Sequence, residues 1–127
     1  MKQKPKILEV LKNKYPVWGY SPKGIADLSL SIKISQLGGV GLVDLEGLSS
    51  KQYQKVFETL HSSLSADNMW GIRIPTQKAL NTIEFNDLVP IIICAFSPNS
   101  QEVKKMQENS YLLLSEVCYL EEAYEYA

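Results

Sequence analysis

Asp44, Arg73 and Glu116 stand at the ends of three β-type runs, after Val40-Gly41-Leu42-Val43, after Trp70-Gly71-Ile72 and after Leu112-Leu113-Leu114-Ser115. Charges at the carboxyl ends of parallel strands have two uses. They meet a ligand, because that edge is where α/β sheets bind, or they pair with one another and tie strands together. Gly19 and Tyr20 close an earlier run, and Glu46, Pro75, Phe96, Ser97 and Cys118 fall at equivalent places. Gly19, Tyr20, Asp44, Arg73 and Glu116 are therefore the candidate site. For Arg73 both readings stand equally, an ion pair with Asp44 across neighbouring strands or a ligand contact, with Glu116 closing the same network.

Other chemistry is thin. His61, the single histidine, reads as a surface residue beside the Leu60/Leu64 stripe. Cys94 and Cys118 lie far apart with no CxxC spacing, so they read as buried small hydrophobes rather than a disulfide framework or a zinc site. Gly38-Gly39-Val40-Gly41 precedes a strand, whereas a dinucleotide fingerprint follows one. These glycines end a helix and turn the chain, and Gly41 allows a neighbouring backbone to come close. A receiver-type phosphorylation site is excluded, because the third run ends in Arg73-Ile74-Pro75 and the fifth in Glu116-Val117-Cys118. No nucleophile elbow, Walker loop or HExxH helix is present.

The elements that must position these residues follow from periodicity. Ile7, Leu8 and Leu11 predict a leading helix within residues 5–13, so residues 1–14 read as a leader and 15–127 as the domain. Strands are expected at 15–20, 40–45, 70–75, 89–95 and 112–117. Asp27 caps a helix through Leu28, Ile32, Ile34 and Leu37, and Ser49 or Ser50 caps one through Tyr53, Val56, Phe57, Leu60 and Leu64. Further helices are expected over 76–83 and 98–109. A last one starts at Leu120 and meets no stop signal, which reads as a cut in a longer polypeptide. The near-continuous Val/Ile run at 89–95 suggests helices over both sheet faces.

The chain has 127 residues, 45% of them hydrophobic, with a formal net charge of −1. That suits one domain with a real core. It makes no strong case for nucleic acid or an anionic membrane as partner. The longest apolar run, Leu88–Phe96, is too short to span a bilayer, and no signal-type segment follows the early lysines, so a cytoplasmic protein is expected.

Repeated β-α units at this spacing form a parallel sheet with right-handed crossovers. Two α/β architectures fit. One is the first five strands of a TIM (β/α)8-type barrel, and the other a complete flavodoxin-like doubly wound sheet of five strands.

Pro16-Val17-Trp18-Gly19-Tyr20, the Leu28 to Gly39 helix and Val40-Gly41-Leu42-Val43-Asp44 resemble the opening of the nitronate monooxygenase (2-nitropropane dioxygenase-like) family of FMN barrels. Trp70-Gly71-Ile72-Arg73-Ile74 looks like that family's third strand, with Arg73 where an asparagine is usual, and the segment from Ser115 to Ala123 is similar to its fifth strand and following helix. Asp44-Leu45 with Arg73 is especially like the barrel at the front of some bacterial polyketide synthase-like multienzymes. The resemblance implies an FMN-dependent oxidoreductase domain of which this chain is the N-terminal part, incomplete alone. It implies that Gly19, Tyr20, Asp44, Arg73 and Glu116 line the flavin side, with the phosphate grip and the catalytic histidine on segments this chain lacks.

Two further readings stand beside it: a non-catalytic structural or docking domain of a multienzyme that binds no cofactor, and a small self-contained α/β binding domain. An isolated five-strand piece exposes its edges, so self-association or the remainder of a longer polypeptide is the expected partner.

Overall fold

The computed structural model describes Tyr15 and residues 17–117. Five strands alternate with four helices: β1 (Trp18–Tyr20), α1 (Ser29–Gln36), β2 (Val40–Asp44), α2 (Ser50–Ser63), β3 (Met69–Ile74), α3 (Gln77–Thr82), β4 (Val89–Cys94), α4 (Ser100–Glu108) and β5 (Ser110–Ser115). All ladders are parallel and the strands lie in chain order, β1-β2-β3-β4-β5. The leading helix, Pro16, Cys118 and the helix expected from Leu120 fall outside the described residues.

Local chemistry sets the helix starts. The Ser49 hydroxyl accepts from the Gln52 N–H while the Gln52 side chain accepts from the Ser49 N–H, a reciprocal cap. Asn99 and Glu102 repeat it on α4, both bonds at 2.9 Å, which is why that helix starts after Pro98 rather than at it. Thr76 caps α3 through the Ala79 N–H. The expected Asp27 cap is corrected: Leu28 holds the cap position of α1 with no side-chain bond, while Asp27, one residue earlier, accepts from both the N–H and the hydroxyl of Ser29, and these bonds, the hydroxyl's foremost, hold its carboxyl below the usual range. Gly38, at φ +97°, turns the chain out of α1.

Right-handed crossovers between adjacent parallel strands keep every helix on one side. Tyr53, Val56, Leu60, Leu80 and Met106 from the helices share one core with Val43, Trp70, Ile72, Ile74, Ile92 and Cys94. The other face carries a separate cluster drawn only from strands: Val40, Leu42, Met69, Ile91 and Ile93, bordered by Leu112 and Leu114. The described helices therefore do not cover both faces, and β4 is apolar on both sides because each face has its own core. Pro90 is tolerated because the β3–β4 ladder begins only at Ile91. No ladder joins β5 back to β1 among the described residues, so the sheet is open. What the two expected architectures share, a five-stranded parallel β-α sheet, is what forms; a closed TIM barrel does not form among the described residues, because closure takes about eight tilted strands and five leave two edges.

Helix α1 departs most from its apolar spacing. Its buried residues are Ser31 and Ser35, whereas Ile32 and Ile34 are half-buried and Leu37 is exposed. Gly41 is the reason. The Ser31 hydroxyl donates to the Leu42 carbonyl at 2.7 Å, and the Ser35 hydroxyl accepts from the Gly41 N–H at 2.9 Å. A Cβ on Gly41 would lie 1.9 Å from the Ser31 carbonyl oxygen, so the helix backbone rests directly on β2. Strand β5 begins at Ser110 rather than Leu112, its first hydroxyl donating to the Met106 carbonyl.

Gly41→Ala should cost about 3 kcal/mol, since backbone must move to make room. Gly24→Ala, where a Cβ meets nothing but φ is +76°, should cost about 1 kcal/mol. Urea unfolding of the two variants measures the contrast; equal losses would remove the close-contact explanation.

Candidate functional site

The β2–β3 register sets Asp44 opposite Arg73. Strand alternation then puts both on the helix-free face, at its carboxyl edge, above Leu42 and Gly71. Arg73 Nη1 reaches Asp44 Oδ1 at 3.2 Å and Glu46 Oε2 at 3.3 Å. Its Nε and Nη2 fork onto Glu116 Oε1 and Oε2 at 2.7 and 3.1 Å, the strong bidentate geometry. One guanidinium thus links β2, β3 and the end of β5. The hydrogen bonds that Arg73 donates to Glu116 hold it in its charged form against the opposing effect of burial, with Asp44 adding to them. Tyr20 stands beside the cluster. Burial first, then the charges of Glu116 and Asp44, push its phenol above the ordinary value, with Arg73 pulling the other way.

Four of the five sequence candidates therefore meet, and the expected network forms with Glu46 added. Gly19 does not join. A Cβ there would lie 2.4 Å from Ile34 Cδ1, so this glycine faces α1 on the opposite side of the sheet.

The network's donors are spent on its own acids. Three carboxylates against one guanidinium leave an acidic surplus, only partly offset where exposed Lys23 approaches Glu46 at 3.5 Å. FMN carries a phosphate and gains negative charge on its ring when reduced, so these residues do not fit it. Cys94 offers no nucleophile: it is buried, its thiol donates to the Phe96 carbonyl, and burial, then Glu102 and Glu116, push its pKa up. Among the described residues no group of three or more His, Cys, Asp or Glu is placed to hold a metal ion. No helix among them is long and apolar enough to cross a membrane.

A second site was not foreseen. On the helix side, Tyr53, Phe57 and His61 of α2 face the α3–β4 connection across a groove of about 380 Å³. Phe57 meets Phe85 edge to face at 6.3 Å, and Glu58, Glu84 and Asp87 also line the hollow. His61 is half-buried, its ring edge-on to Trp70 at 5.1 Å, which corrects its reading as a surface residue. Past His61 and Asp87 a second hollow of about 410 Å³ continues toward Trp70, Pro90 and Tyr111. The α2 stripe was visible as core spacing, but nothing in it marks Glu84-Phe85-Asn86-Asp87 as the opposite wall.

Comparison with protein-family models, with curated proteins and with solved structures returns no match. Membership in the nitronate monooxygenase family has no support from these comparisons. The attributes that hung on it, a TIM barrel with FMN and oxidoreductase chemistry in a polyketide synthase-like multienzyme, are corrected accordingly.

Arg73→Met should cost about 2 kcal/mol, less than a fully buried pair because Glu46 and Glu116 remain 47% and 43% exposed. Urea unfolding measures the loss, which should shrink at high salt, where repulsion among the three bared carboxylates is screened. Ring NMR should show Tyr20 titrating above a free tyrosine, higher still in Arg73→Met and lower in Glu116→Gln. The raised value means that Tyr20's contribution to stability is complete below the unfolded-chain pKa and is lost as pH rises through the folded one. A Tyr20 indifferent to both substitutions would detach it from the cluster.

Proposed function

We propose that this chain is a small, non-catalytic α/β binding domain whose ligand enters the groove beside α2. The Asp44–Arg73–Glu116 network serves as a brace at the carboxyl edge of the sheet. One contrast carries this reading. The edge cluster turns its polar groups on one another, whereas the groove presents half-buried aromatic rings together with carboxylates that no lysine or arginine among the described lining residues neutralises. Ligand pockets are concave, largely apolar and carry a few polar groups that orient what enters. On the fold itself, chain-order strands with helices on one face support an open stretch of barrel-like winding. A doubly wound sheet needs a reversal of strand order.

A second reading, self-association through the sheet borders, is favoured by the exposure of Trp18 and Tyr20 on β1 and of Tyr111 on β5. Light scattering decides it: a mass of one chain across the accessible concentrations would remove it.

The groove is tested by fluorescence. The chain has two tryptophans, so Trp18→Phe leaves Trp70, buried and edge-on to the groove residue His61, as the reporter. In a mixed set of neutral aromatic and amine fragments, some should shift its emission saturably, and the shift should vanish in Phe57→Ala that circular dichroism shows to be folded. A set that leaves the emission unchanged would overturn the binding reading.

A further inference from the structure

The groove's carboxylates stand among neutral polar side chains, Ser50, Gln54, Thr82 and Asn86, and the imidazole of His61. Glu58, Glu84 and Asp87 line it, and no lysine or arginine does among the described residues. Glu58 accepts from Gln54 at 3.2 Å, but Glu84 and Asp87 have no ion pair or side-chain hydrogen bond among the described residues. The other acids that face a concavity or edge behave differently: Asp44, Glu46 and Glu116 share Arg73, and Glu102 accepts from Gln77. The aromatic walls add a second, independent preference. Phe57 and Phe85, which meet edge to face at 61°, both line the hollow, and an aromatic ring face attracts a cation. Phe85 already does so within the fold. Lys105 Nζ lies 5.8 Å from its ring centroid while donating to the Leu80 and Ile83 carbonyls, and Lys105 itself does not line the groove.

We infer that the groove binds an alkylammonium group, presented by a lysine side chain or by a free diamine. This rests on the binding-domain reading and names its ligand class. An anion would be repelled by three carboxylates, and a neutral hydrocarbon would strip water from them without replacing it. Ammonium suits the site better than guanidinium. Its three donors point in different directions and can reach carboxylates on separate elements, α2 for Glu58 and the α3–β4 connection for Glu84 and Asp87. A guanidinium prefers one coplanar carboxylate, which is what Arg73 finds in Glu116. The alkyl stem would lie along Tyr53 and Phe57, apolar against apolar.

The experiment titrates the Trp18→Phe chain at low ionic strength with cadaverine, Nα-acetyl-lysine methylamide and 1,5-pentanediol, the last a neutral match for cadaverine. Both amines are expected to saturate and the diol is not. Glu84→Gln with Asp87→Asn should weaken amine binding by about tenfold or more. Glu108→Gln on α4, outside the groove and paired with Lys104, should leave it unchanged and so control for net charge. Cadaverine binding alone would assign the group to a free diamine, and binding of the lysine amide as well to a side chain. Equal binding of diol and diamine, or amine binding indifferent to the double substitution, would overturn the inference. If amines fail while a neutral aromatic fragment still binds in a Phe57-dependent way, the ligand class is wrong and the binding domain stands. If neither binds, both fall.

Discussion

Each of the first four strands is followed by a helix that returns the chain to the strand next door, and the handedness of that return leaves no choice of side. Helices α1 to α4 consequently gather on one face, and the two faces of the sheet acquire different chemistry. On the helical side the core is built from two kinds of element, so its gaps fall between helices and connections. That is where the groove lies, between α2 and the segment entering β4. On the other side only strand residues meet, and their carboxyl-terminal members form a row in which charges from β2, β3 and the end of β5 come within reach of one guanidinium.

The same constraint explains what could be read from the residues alone. A parallel register aligns strand ends, so charges that close consecutive runs become neighbours, and the pairing of Arg73 with Asp44 and Glu116 follows from little more than where each run stops. Periodicity was a poorer guide where backbone approached backbone. The apolar spacing in α1 pointed to Ile32, Ile34 and Leu37, yet Gly41 draws the helix so close that only serine fits beneath it. The hydroxyls of Ser31 and Ser35 then bond to β2 itself. Gly19 was placed at the sheet edge for the same reason as Tyr20, but alternation turns adjacent residues to opposite faces, and only one of the two could reach the cluster. The groove was invisible because its walls are far apart in sequence and one of them is an ordinary-looking connection.

The resemblance to flavin barrels has a physical source of this kind. A proline-led strand, a helix ending in glycines and a strand opening with glycine are devices that let a helix turn back and lie close on a parallel strand. Gly38 and Gly41 do that here. Such motifs report winding. They say little about chemistry, which depends on side chains that the same winding leaves free to vary. Arg73 illustrates the difference. It occupies a strand-end position where a ligand contact was expected, but with Glu116 forked onto it and Asp44 beside it, its donors are engaged inside the fold.

Net charge conceals how these charges are distributed. A formal balance of −1 argues against partners that need a strong overall field, such as nucleic acid, and that inference concerns distances longer than a Debye length. At contact range the balance breaks down. Arg73 gathers three acids around itself and remains outnumbered, while Lys105 is drawn onto backbone carbonyls and the outer ring of Phe85 rather than onto an acid. With those cations held elsewhere, Glu84 and Asp87 line the aromatic groove with no ion pair among the described residues. A nearly neutral chain can therefore carry a locally anionic, aromatic hollow. Among the described residues, no lysine or arginine lines that hollow.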